Sequence, residues 1–108
     1  MTQAKVIVID DDPQIRDILY EFLTKHEYDV DTAADGLSAL SQVEKDNYQV
    51  AIVDLDMPGL TGMETIHRLN ELKPDMEVVI FTGNPTYESS VDAIHEHVSA
   101  YLCMISEN

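Results

Sequence analysis

Two apolar runs in this sequence end in carboxylates. Val6-Ile7-Val8-Ile9 leads into Asp10-Asp11-Asp12-Pro13, and Val50-Ala51-Ile52-Val53 leads into Asp54-Leu55-Asp56-Met57-Pro58-Gly59. A continuous apolar run closed by turn residues reads as a strand buried on both faces of a parallel sheet. Each acid then stands at a strand's carboxyl end, the edge at which open α/β sheets bind ligands. If Asp10, Asp11 and Asp54 share that edge, their charges must be answered. Two carboxylates about 4 Å apart repel by roughly 4 kcal/mol at a surface-like dielectric. Three together require a bound proton or a cation. Donors that are all oxygen suit Mg²⁺, which keeps several waters and favours phosphate partners. A main-chain carbonyl just past Asp54 can add one more oxygen. A carboxylate beside such an ion can also attack phosphorus and form an acyl phosphate. Asp54, alone at its strand end, is the better nucleophile, and Asp10 and Asp11 are the better metal holders. Thr82, closing a later strand, is placed to hydrogen-bond a phosphoryl oxygen, unless it is an ordinary turn residue. Asp12 and Asp35 read more simply as helix caps.

The elements that must position these residues alternate along the chain. Residues 5–10 form the first strand. Pro13 opens a helix whose apolar face is Ile15, Ile18, Leu19, Phe22 and Leu23, opposite Asp17, Glu21 and Lys25. Residues 28–34 form a weaker strand in which Val30 alternates with Asp29 and Asp31, the pattern of a partly wet edge. A short helix follows Asp35-Gly36, with Leu37, Leu40 and Val43 on its face. After the third strand, Met63, Ile66 and Leu69 mark a helix stopped by Lys73-Pro74. Residues 77–81 form a fourth buried strand, Val91, Ile94 and Val98 the face of another helix, and residues 100–105 a fifth strand. Strands alternating with helices imply right-handed βαβ units: a doubly wound α/β fold around a parallel sheet.

Composition narrows the function. The chain has 108 residues, 44% of them apolar, which suits a single domain over 1–108 with one core. Net charge is −15, and no Lys or Arg follows Lys73. Phosphate backbones are held by clustered cations, so nucleic acid is not the expected partner. The apolar runs are too short for a membrane span. One cysteine, Cys103, cannot close an internal disulfide, and the first residues carry no secretion signal, so the cytoplasm is the expected location. His26, His67, His95 and His97 are scattered over different elements and form no Cys/His zinc set.

Three stretches taken together carry a resemblance: Asp10-Asp11-Asp12-Pro13-Gln14-Ile15-Arg16, Asp54-Leu55-Asp56-Met57-Pro58-Gly59 and Phe81-Thr82-Gly83. With this spacing the chain resembles a two-component response-regulator receiver domain from its first strand to Tyr101. The resemblance implies a five-stranded sheet of order 2-1-3-4-5. It makes Asp54 the phosphoacceptor, Asp11 a direct Mg²⁺ ligand, Asp10 a ligand mainly through water, and Asp56 a ligand through its carbonyl. Thr82 would follow the phosphoryl group and Tyr101 would change rotamer with it. A histidine kinase or phosphotransfer protein would be the donor, and a downstream protein, which the sequence does not identify, would read the result.

Two departures from the family stand out. Met104-Ile105 occupies the place of the family's lysine, usually followed by proline. Loss of one charge-assisted contact to a phosphate costs on the order of 1.5–3 kcal/mol. The family's last helix, which packs beside the first, is also missing from the pattern, so a sheet face is expected to be uncovered and open to homodimer formation. Two other functions compete with the phosphoacceptor. One is a receiver-like scaffold that binds without phosphate, and a more distant one is an aspartate-nucleophile phosphatase built on the Asp54/Asp56 spacing.

Overall fold

The computed structural model describes residues 3–83 and 97–103. Its elements follow the order β1 (Lys5–Ile9), α1 (Pro13–Lys25), β2 (Asp29–Ala33), α2 (Gly36–Lys45), β3 (Val50–Val53), α3 (Gly62–Leu72), β4 (Glu77–Thr82) and β5 (Ala100–Cys103). The strands form one sheet in the order β2-β1-β3-β4-β5, every neighbouring pair parallel. That is the doubly wound order expected. The helix expected from Val91, Ile94 and Val98 falls largely outside the described residues, as do Met104, Ile105 and everything after them.

Helix entries are set by local chemistry. Asp12 caps α1, its carboxylate accepting from the Gln14 amide at 2.9 Å, with proline in the first turn. Asp35 caps α2 through the Ser38 amide at 2.8 Å. Thr61 caps α3 by accepting from the Glu64 amide, while its hydroxyl donates back to the Glu64 carboxylate, both at 3.2 Å.

The two faces of the sheet are unequally covered. On one, Ile7, Ile9, Ala51, Val53, Val78 and Ile80 meet Leu40, Val43, Ile66 and Leu69 of α2 and α3 in the main core. On the other, Leu19 and Leu23 of α1 pack on Val6, Val8 and Val30, with Val50 and Ile52 at the margin. This corrects three expectations. The apolar face of α1 is narrower than its sequence pattern, for Ile18 and Phe22 are 61% and 57% exposed. Only the stripe one turn apart, Leu19 and Leu23, packs on the sheet, and among the described residues no element lies against the flank beside it. In α2, Leu37 is 64% exposed, and Gly36 and Ala39 take the buried places with Leu40 and Val43. And β3 is not buried on both faces: Ala51 and Val53 are, but Val50 and Ile52 are half-buried, because α1 lies over β1 and β2. The same face of β4 and β5 carries half-buried Val79 and Phe81 and Leu102 at 49% exposure.

Candidate functional site

The strand ladder brings the acids together. Ile9 and Val53 are register partners, so Asp10 and Asp54 are the next residues on adjacent strands. The Asp54 amide donates to the Ile9 carbonyl at 2.9 Å, and the Asp10 amide to the Ala33 carbonyl at 3.1 Å. Each acid is then braced by the same small turn. Asp10 Oδ1 accepts from the Asp12 amide at 2.9 Å, and Asp54 Oδ1 from the Asp56 amide at 3.2 Å. Carboxylate oxygens of Asp10, Asp11 and Asp54 lie within 4.8 Å of one another. Asp10 is buried, only 3% exposed; Asp54 is half-buried and Asp11 is open to solvent. A cleft of ≈ 460 Å³ opens above them, with Asp56, Pro13, Ile15 and Gly83 on its walls.

The cost of this clustering shows in the acidities. Burial pushes Asp10 up to about 6, and the carboxylates of Asp54, Asp11 and Asp12 add to it against the Asp12 amide. Burial also raises Asp54, with Asp11 and Asp56 pushing the same way; the Asp56 amide and a hydrogen bond with the Thr82 side chain hold it back. A cation would reverse the sense of every one of these shifts. The donor set is oxygen only, one carboxylate is solvent-facing, and the cleft leaves room for waters, so the residues present fit Mg²⁺.

The other expected residues are placed less uniformly. Thr82 is fully buried at the end of β4, beside Asp54. Asp56 is exposed on the cleft wall. Tyr101 lies two strands from Asp54, in register with Ile80 and half-buried against the main core.

Two residues to which the sequence pattern assigns no role also touch the acids. Gly62 opens α3 directly against the main chain of Asp54. Arg16 Nη1 donates to the Asp10 carbonyl at 2.7 Å. Their contacts are not local signals: a glycine after a Pro-Gly loop reads as part of the turn, and Arg16, although it closes the first of the three resembling stretches, has no partner that its spacing alone identifies.

Comparison with known proteins places this geometry. The family profile of the response regulator receiver domain matches residues 6–103. Sporulation initiation phosphotransferase F of Bacillus subtilis is 33% identical over 83 residues, 77% of this chain and 67% of that protein. A CheY-like response regulator receiver domain protein from Methanospirillum hungatei superposes with a TM-score of 0.94 at 25% identity, covering 98% of this chain and 85% of the other. A response regulator protein from Thermotoga maritima, solved in complex with Mg²⁺-BeF, gives 0.87 at 30% identity, covering 95% and 88%. The chain spans 43% of the length of the mycobacterial response regulators that it also matches.

Proposed function

Because the chain belongs to the response regulator receiver domain family, we propose that its acid cleft takes up a phosphoryl group on Asp54 with Mg²⁺ bound. The observation that carries this reading is the approach of three carboxylates to within 4.8 Å at the carboxyl ends of β1 and β3. Asp11 and Asp10 would hold the metal together with Asp54, and the Asp56 carbonyl would add an oxygen. Bound there, the ion would neutralise the carboxylates and stabilise charge on the transferring phosphoryl group.

An oxygen of ionised Asp54 attacks phosphorus in line with the leaving group. The bond from phosphorus to the donor's imidazole nitrogen, or to the oxygen of a small acyl phosphate, breaks as the new P–O bond forms. The leaving group carries away the electron pair. Burial holds the Asp54 pKa above the usual carboxylate value, and a bound cation would favour the ionised form that attacks. Thr82, already hydrogen-bonded with Asp54, would turn its hydroxyl to a phosphoryl oxygen.

The donor in this reading is a histidine kinase or phosphotransfer protein, the modified state a signal for a downstream protein. Support comes from relatives: one is named a phosphotransferase, and another is a structure of a response regulator with Mg²⁺-BeF. Transfer to its own aspartate makes the chain a signalling domain, distinct from an enzyme that turns over substrate.

The sequence at Met104, where the family places a lysine, keeps one second reading: a receiver fold that binds partners without phosphate. Intact mass after incubation with Mg²⁺ and acetyl phosphate separates the two. The proposal expects one added phosphoryl group, absent without Mg²⁺ and absent in Asp54→Asn. No added mass under conditions that label other receivers would leave the binding scaffold. Release of many phosphates per chain from a phosphomonoester would identify a phosphatase.

A further inference from the structure

We propose that Arg16 is a positioning residue of the acid site, fixing the β1–α1 turn on which Asp10 and Asp11 are carried. This rests on the metal-binding reading of the cleft given above. The ladder on β1 stops at Ala33 on one side and at Val53 on the other. The Asp10 carbonyl lies past both ends and, among the described residues, has no strand partner in register. The Arg16 guanidinium takes it, Nη1 to O at 2.7 Å, in a partly buried position. The Arg16 amide bonds the Asp12 carbonyl at 3.1 Å as the helix begins. One residue thus grips the turn on both sides of Asp11, by side chain and by main chain.

The guanidinium spends its hydrogen bond on a main-chain oxygen. Asp10's own carboxylate accepts from the Asp12 amide instead, so its other oxygen is left for a ligand. The chain's remaining five Lys and Arg residues are placed elsewhere: Lys5 pairs with Asp46 and Asp31 at the opposite end of the sheet, Lys25 and Lys45 lie in the last turns of α1 and α2, Arg68 lies within α3, and Lys73 Nζ donates to Asn47 Oδ1 at 3.3 Å. Among the described residues, Arg16 is the cation that hydrogen-bonds a member of the acid cluster. A charge-assisted bond from a planar, forked donor restricts the turn more than an ammonium would.

The sign of the effect separates positioning from simple electrostatics. Removing a positive charge near three carboxylates strengthens their attraction for a divalent cation. Loss of the grip on the turn weakens it. Calorimetric titration with Mg²⁺ alone is therefore the test, on the whole chain, with Arg16→Met, Arg16→Lys and Lys25→Met. Arg16→Met should bind Mg²⁺ about tenfold more weakly, and Arg16→Lys should fall between it and the unaltered chain. Lys25→Met, which removes a cation from the same helix, should bind as before or slightly more tightly. At a Mg²⁺ concentration near the dissociation constant of the unaltered chain, acetyl phosphate should label Arg16→Met more slowly than the unaltered chain, whereas Lys25→Met should keep the original rate.

Mg²⁺ affinity unchanged or increased in Arg16→Met overturns the proposal, even if the variant melts earlier. Should Arg16→Met fail to fold, an unchanged affinity in Arg16→Lys together with unchanged hydrogen exchange at the Asp12 amide overturns it as well. No Mg²⁺ binding by the unaltered chain would bring down the metal-site reading itself, and this proposal with it.

Discussion

The first residue of α3, Gly62, lies so close to the main chain of Asp54 that a Cβ added there would stand 2.4 Å from the Asp54 carbonyl oxygen and 2.5 Å from the Leu55 Cα. Both are backbone atoms and cannot swing aside. The end of β3 and the start of α3 are thereby held at a separation that only glycine allows. Asp54 is the residue held.

Gly62→Ala follows from this contact. Forcing a methyl group against backbone costs about 1–3 kcal/mol, and relief must come by moving Asp54 or the helix. Urea unfolding should show that loss. Phosphoryl uptake from acetyl phosphate should slow as well, at a temperature where the variant is still folded. Gly59→Ala is the comparison, because its Cβ would meet nothing within 4 Å. Its strain comes from a positive φ of 75° in an open loop.

The acidity of Asp10 predicts how stability depends on pH. Its value in the folded chain is about 6, raised from an ordinary 3.8 by burial first. The folded state therefore keeps this proton over a range in which the unfolded chain has lost it. The contribution to stability is complete below about pH 4, falls as pH rises, and is gone above about pH 6. Its size is on the order of 2–3 kcal/mol. Urea midpoints without divalent metal should drop between pH 4.5 and pH 7, and Asp10→Asn should remove much of that slope. Mg²⁺ should oppose the drop, because it favours the ionised form.

Asp11 is the exposed member of the cluster, so its contributions to folding and to metal binding should separate. Asp11→Asn should change stability without metal by less than about 0.5 kcal/mol, as surface substitutions do. In the unaltered chain, Mg²⁺ at a hundred times its dissociation constant should add about 2.7 kcal/mol. The variant should lose most of that gain at the same Mg²⁺ concentration. Melting curves with and without Mg²⁺ read both effects.

At the other end of the sheet, the Tyr48 hydroxyl donates to Asp31 Oδ2 at 2.6 Å, and Lys5 Nζ lies 5.3 Å from the ring centroid. Burial and the neighbouring Asp31 push the pKa of Tyr48 above that of an ordinary phenol, so the hydroxyl keeps its proton and remains a donor. Tyr48→Phe should cost about 1–2 kcal/mol of stability. Labelling at Asp54 should be unaffected, since the residue lies on the far side of the core from the acid cleft.

How far the amino-acid sequence alone determines this protein depends on the range of the interaction concerned. The strands and helix starts are local. Val6–Ile9 and Val50–Val53 are apolar runs that bury as strands wherever a sheet accepts them, and Asp12, Asp35 and Thr61 cap the helices they precede. The acid site was legible for the same reason: adjacent parallel strands that end together place the residues after them side by side, as they do Asp10 and Asp54. Burial is not local. Ile18 and Phe22 fit the apolar period of α1 as well as Leu19 and Leu23 do, and only the position of the sheet decides which pair is covered. The contacts of Gly62 with Asp54 and of Arg16 with Asp10 are likewise set by how closely the elements approach. Periodicity reports which side of an element is apolar. What stands opposite that side, and at what distance, is decided by the packing of the whole chain.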